Sequence, residues 1–191
     1  MALYQAKMKH SAATITQLMI TRYNTFQYGK KVIRFVIALI LIGYGLYGDN
    51  TLFMPMVCLF IGCVMVANLN QAPKSLAKAV IRQMGGQFPE SHYEFEKNAF
   101  RFHAEADPVP YQKLIRLVED KQYLYLYVSE DSGYMVDKAT ISGGTLADLK
   151  EFLASGSGQK WTRPNSLLTF RLTSLFPALG EKIASLKKKK K

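Results

Sequence analysis

The residues closest to a metal-binding or catalytic set are two histidines and a carboxylate. His92 and Glu94 lie on the polar side of an alternating stretch, 92–96, and residues 99–103 alternate in the same way up to His103. Lys97 and Asn98 stand between the two stretches as the centre of a two-residue turn. In that register Phe95 faces Phe100, Glu94 faces Arg101 and His92 faces His103, and two imidazoles beside Glu94 are the donor types of a zinc site. A solvated polar face explains the same residues, so no metal is expected. The second candidate is the run Tyr123, Tyr125 and Tyr127, one side of a strand whose other side is Leu124, Leu126 and Val128. Tyrosine joins an apolar ring to a polar tip, which suits an aromatic ligand, a lipid headgroup or a membrane surface. Packing across a sheet face is the plainer reading. The acidic pairs Glu119-Asp120 and Glu130-Asp131 fall in turns, which lack the shaped pocket and shifted pKa that acid–base catalysis needs. There is no nucleophile-elbow motif, and Gly85-Gly86 and Gly143-Gly144 lack the spacing and lysine of a phosphate loop. No catalytic residue and no cofactor is expected, and the chain reads as non-enzymatic.

The elements that would carry these residues form a meander. After the pair of stretches around Lys97-Asn98, residues 111–118 read as a third strand, 119–121 as a charged turn and 123–128 as the strongest strand of the chain. Residues 130–133 make the next turn and 134–136 a fifth strand. Thr145 with Asp148 three residues on is a capping-box pattern opening a helix. Leu146, Leu149, Phe152 and Leu153 give that helix one apolar stripe, and Gly156 is the expected stop. The whole is an α+β pattern: a small antiparallel sheet closed by a C-terminal helix.

Charge and hydropathy add a second feature. The 191 residues carry 25 Lys+Arg against 14 Asp+Glu, a net +11. A uniformly basic surface would point to nucleic acid, but the charge is not uniform. Residues 84–161 hold eight basic and twelve acidic side chains, whereas residues 1–47 hold six basic side chains and no acid. No nucleic acid is therefore expected. Two apolar runs, about 31–47 and 52–69, flank a break at 48–51, and each is near the lower length limit for a spanning helix. They predict a two-helix transmembrane hairpin over 30–70, with Tyr44 and Tyr47 near its far end. Two short buried helices are the alternative. Lys30, Lys31 and Arg34 precede or open the first run, and Lys74, Lys78 and Arg82 follow the second as one basic stripe of a juxtamembrane helix over 71–86. All six are expected at the membrane interface, and the basic flanks place both termini in the cytoplasm of a multi-pass protein of the cell membrane. Cys58 and Cys63 lie five apart in the second run, so no disulfide or metal pair is expected, and the late start of the first run argues against a cleaved signal peptide.

Residues 1–29 are expected as a partly helical cytoplasmic segment and 87–160 as the β domain. Residues 161–191 are expected as an amphipathic tail whose end, Lys187, Lys188, Lys189, Lys190 and Lys191, would meet anionic lipid.

The run from Tyr111 to Val128, the later Met135-Val136-Asp137-Lys138 and the closing Leu149-Lys150-Glu151-Phe152-Leu153 resemble the YcxB-like family of bacterial membrane proteins. That resemblance covers roughly residues 30–155. It implies a β domain of the pleckstrin-homology-like type behind two membrane helices, with Asp137 standing where the family has proline. The expected partners are a bilayer with anionic inner-leaflet lipids and a protein partner or a second copy of the chain. The expected function is a membrane-tethered binding or regulatory module. The alternative is a subunit of an oligomeric transport or channel assembly, with Gly43, Gly45 and Gly62 at close helix contacts.

Overall fold

The computed structural model describes residues 2–48, 53–103 and 105–165. Its first strand, β1 (Tyr4–Lys9), alternates strictly, burying Ala6 and Met8 and exposing Lys7 and Lys9. Such alternation is stable only against a partner strand. The partner comes from far along the chain: β1 pairs antiparallel with β2 (Glu90–Phe95) over six residue pairs, Tyr4 opposite Phe95 through Lys9 opposite Glu90. The N-terminal residues thus join the β domain, and everything between β1 and β2 is a helical insert.

The insert begins with α1 (Ala12–Phe26), where the Ser11 hydroxyl accepts from the Thr14 amide and the Thr14 hydroxyl accepts from the Ser11 amide. Gln27 alone separates it from α2 (Tyr28–Tyr47), which packs antiparallel on α3 (Phe53–Ala67). Glycine permits that approach. A Cβ on Gly45 would lie 2.6 Å from Leu59 Cβ and one on Gly62 2.7 Å from Ile42 Cγ1, whereas Gly43 faces open space. The final helix of the insert, α4 (Gln71–Gln83), packs back against α1.

The expected transmembrane hairpin needs correction. The antiparallel pair is present, but among the described residues no single helix is long and apolar enough to cross a membrane. Lys30, Lys31 and Arg34 occupy the first two turns of α2 and leave about 20 Å of uncharged helix, and the 15 residues of α3 span about 22 Å. A hydrocarbon core is about 30 Å thick. Among the described residues only α3 and α4 taken together meet the length and composition of a span, and they are bent by 46°.

Beyond the insert, β2 continues into β3 (Ala99–Arg101) and β4 (Val109–Pro110), giving one sheet in the order β1-β2-β3-β4. The second sheet has the order β7-β6-β5-β8, from β5 (Arg116–Glu119), β6 (Tyr123–Tyr127), β7 (Gly133–Asp137) and β8 (Trp161–Thr162). The pair β5 and β8 is parallel, so the sheet is mixed where an antiparallel one was expected. An isolated bridge joins Gln5 of β1 to Ser142, in the segment between β7 and the following helix.

Helix α5 (Leu146–Ser157) opens on the Thr145–Asp148 capping box and buries Leu149 and Leu153 in the common core with Phe95, Phe100, Tyr111, Leu117 and Leu126. It stops at Gly158, whose φ of 67° suits glycine, and not at Gly156. Gly156 instead lets the helix lie on the Tyr111 ring, 3.1 Å from where a Cβ would sit. Residues 161 and 162, expected in the tail, form β8. The polybasic end of that tail, with Lys187, Lys188, Lys189, Lys190 and Lys191, lies outside the described residues.

Candidate functional site

Alternation puts Tyr123, Tyr125 and Tyr127 on one face of β6 and Leu124 and Leu126 on the other. Both faces are covered: Tyr125, Tyr127, Leu124 and Leu126 all have no exposed surface. The tyrosine face is closed by α1. Phe26 meets the Tyr127 ring edge-on at 5.1 Å, and Arg116 crosses over the Phe26 ring at 5.4 Å while its Nη1 donates to Thr25 O at 3.2 Å. The stripe is therefore a seam between the helical insert and the sheet, with only Tyr123 partly open.

Asp120 fastens the same seam. Its carboxylate accepts from the Tyr125 hydroxyl at 2.6 Å, from the Tyr123 and Gln122 amides at 2.7 and 2.8 Å, and from Gln17 Nε2 of α1 at 3.3 Å. Burial works against its charge, yet the hydrogen bonds led by Tyr125 hold its carboxyl below the ordinary value. Burial, and then the Asp120 carboxylate, push the Tyr125 hydroxyl well above its own. Neighbouring Glu119 ties α5 to β7's far end, with Lys150 Nζ at 2.9 Å and Lys138 Nζ at 3.3 Å. Its carboxyl too is lowered, the two lysines outweighing burial. Both acids were expected to be solvated turn residues. Asp120 does accept from the turn amides of Gln122 and Tyr123, but Gln17 of α1 and the two lysines of Glu119 lie far along the chain, which no local pattern announces.

The hairpin register Phe95–Phe100 and Glu94–Arg101 is as expected, but β3 ends at Arg101 and the histidines do not meet. His92 lies opposite Lys7 and 3.9 Å from Glu90, whereas the His103 ring stacks obliquely on Phe102 at 5.1 Å. Among the described residues no three His, Cys, Asp or Glu side chains, His92, Glu94 and His103 included, are placed to hold a metal ion.

The surface most unlike an ordinary solvated one is on α2 and α3. Of the seventeen large hydrophobic side chains exposed among the described residues, fourteen belong to this helix pair, among them Ile40 at 65%, Phe53 at 76% and Phe60 at 70%. Such concentration marks a contact surface, since scattered exposed hydrophobics are the norm. At the end where the pair joins the β domain, Lys30 and Arg34 are exposed on α2 and Lys74, Lys78 and Arg82 on α4. Lys31 is not: it is buried, and its Nζ donates to Asn24 Oδ1 at 3.0 Å. No acidic residue occurs among the described residues from Ala2 to Pro89, so no described carboxylate of the insert pairs with these cations.

No curated protein and no solved structure matches the chain. The segment 103–153, which carries β5, β6, β7 and most of α5, matches the family model described as YcxB-like protein.

Proposed function

We propose that the chain is a non-enzymatic, membrane-attached binding module in which a pleckstrin-homology-like β domain holds a helical insert against an anionic bilayer. The apolar surface of α2 and α3 meets the acyl chains, and Lys30, Arg34, Lys74, Lys78 and Arg82 meet the headgroups. The observation that carries this reading is the pairing of fourteen exposed large hydrophobics on one helix pair with an acid-free cationic rim at its base. A protein partner of such apolarity would leave the rim without a role, whereas an anionic leaflet uses both surfaces: apolar burial and about 1 kcal/mol per basic residue near the headgroups. The two sheets, with α5 after their first seven strands and packed into their common core, support the pleckstrin-homology-like assignment of the β domain. The basic rim favours the cytoplasmic leaflet, where anionic lipid is concentrated.

The test is cell-free synthesis of the full chain with vesicles, followed by flotation. The chain is expected to float with vesicles containing phosphatidylglycerol and to resist an alkaline carbonate wash. Lys74→Gln, Lys78→Gln and Arg82→Gln together are expected to weaken recovery on anionic vesicles, on the order of 100-fold at about 1 kcal/mol each. A monodisperse chain that stays behind in the aqueous fraction sinks the proposal.

A further inference from the structure

Helix α4 carries Lys74, Lys78 and Arg82 about one turn apart on a single exposed stripe, while Pro73 and Ala77 are buried on its other side, where it packs on α1. From Lys74 to Arg82 the helix rises about 12 Å. The attraction of an anionic surface for a cation fades within about 8 Å at physiological salt. Standing upright, α4 would offer Lys74 to the headgroups and hold Arg82 out of reach. All three cations meet the surface only when the helix axis lies along it. That orientation limits α3. The axes of α3 and α4 are bent by 46°, so α3 leaves a surface-aligned α4 at no more than 46° to the membrane plane. Its length of about 22 Å then carries it no deeper than about 16 Å. Helix α2, held antiparallel beside it with Gly45 against Pro55 O and Leu59, ends at the same level. One leaflet contributes about 15 Å of a hydrocarbon core about 30 Å thick.

We infer that α2 and α3 form a wedge in a single leaflet: the helix pair enters the anionic leaflet from the side of the β domain, and its far end stops near the bilayer midplane, short of the opposite headgroups. This rests on the membrane reading and deepens it, naming one leaflet as the partner. A wedge adds area to the leaflet it enters and none to the other, so it seats best where that leaflet is spread, on the outer surface of a strongly curved vesicle. One charge opposes the wedge. The sequence sets Asp49 between the two helices, and an ionised carboxylate is costly in hydrocarbon. The fourteen exposed apolar side chains of the pair work against that cost.

The test places one thiol at the far end of the pair. The full chain with Cys58→Ala, Cys63→Ala and Tyr47→Cys is synthesised with vesicles containing phosphatidylglycerol and recovered by flotation. Tyr47 is 87% exposed at the end of α2, and Phe53→Cys at the start of α3 repeats the measurement from the other helix. A membrane-impermeant maleimide is expected to leave either thiol unmodified, whether added outside or trapped in the lumen, and to modify it fully once detergent is added. Asp49→Asn should raise recovery at limiting lipid about fivefold or more, because the carboxylate no longer enters hydrocarbon. Vesicles about 30 nm across should recover about threefold more chain per lipid than vesicles about 200 nm across. Modification from the lumen overturns the wedge, since the far end has then crossed the bilayer. Modification from outside overturns it as well, since the pair then lies on the surface. Unchanged recovery of Asp49→Asn, or equal recovery on both vesicle sizes, also counts against it. A floating chain that fails in any of these ways keeps the membrane reading and loses the wedge, whereas a chain left in the aqueous fraction overturns both.

Discussion

Replacing Asp120 by alanine probes how the helical insert is fixed to the sheet. The carboxylate takes four hydrogen bonds, but they are not of equal weight. The Gln122 and Tyr123 amides and the Gln17 amide sit where water can replace the lost acceptor, at a few tenths of a kcal/mol each. The Tyr125 hydroxyl sits in a residue with no exposed surface and would lose its 2.6 Å charged acceptor, keeping only the Thr21 hydroxyl, which costs about 2 kcal/mol. Asp120→Ala should therefore lose about 3 kcal/mol, a fall in Tm of about 6–12 °C for a chain of this size. Tyr125→Phe alone should lose about 1.5 kcal/mol, since the carboxylate keeps its other donors. With alanine already at position 120, removing the hydroxyl, which then meets only Thr21, should cost next to nothing, so the cycle yields a coupling of about 1.5 kcal/mol. Urea unfolding of the full chain, followed by aromatic circular dichroism, measures all four corners. If Tyr125→Phe costs as much in the Asp120→Ala background as in the native chain, the two side chains do not act as one unit and the fastened seam is wrong. The pH dependence is a second check. The carboxyl is held below its ordinary value, so its stabilisation is present above the unfolded pKa near ~3.9 and is lost as pH falls through the folded value. The gap between native chain and Asp120→Ala should be flat from about pH 5 to 8 and close in acid.

Gly62→Ala should destabilise the helix pair by about 1–3 kcal/mol, because its Cβ would meet Ile42 and Ala38 O, whereas Gly43→Ala, with open space, should be neutral or stabilising by up to about 1 kcal/mol; thermal melts separate the two. Glu119→Gln should cost about 1 kcal/mol at neutral pH through Lys138 and Lys150. The lowered carboxyl makes that loss constant above the ordinary carboxylate pKa and makes it fade as pH drops below it, as paired melts across pH will show. Gly158→Ala should lose about 1 kcal/mol and Gly158→Asn less, since asparagine tolerates the left-handed conformation; urea midpoints measure the difference.

Local patterns in the sequence reached some of this architecture and missed the rest for identifiable reasons. The Lys97-Asn98 turn gave the right register for Phe95 and Phe100, and Thr145 with Asp148 marked the start of α5, because turns and caps are decided by neighbouring residues. His92 and His103 failed to meet because pairing stops after Arg101, which alternation alone does not reveal. The strand Tyr4–Lys9 went unrecognised because its partner is more than eighty residues away and six alternating residues are a weak signal. The plainer reading of the tyrosine stripe, packing on a sheet face, named no element to cover it for a related reason: the buried residues of α1 include Thr21, Tyr23 and Thr25, which do not read as an apolar helix face. The helix pair is visible as hydropathy, but with Lys30, Lys31 and Arg34 assigned to an interface the uncharged remainder of α2 is too short to span, and Lys31 is buried on Asn24 instead.

The membrane-attached reading is tested most directly by asking what surrounds Phe60, exposed at 70% on α3. Trp161, the one native tryptophan, is replaced by Phe and Phe60 by Trp, and the full chain is reconstituted in vesicles with lipids brominated on their acyl chains. The reading predicts strong quenching of the tryptophan at position 60, and none of Trp161 in the native chain, because β8 belongs to the β domain held outside the hydrocarbon. A tryptophan at position 60 that fluoresces from water, as unquenched as Trp161, would contradict it.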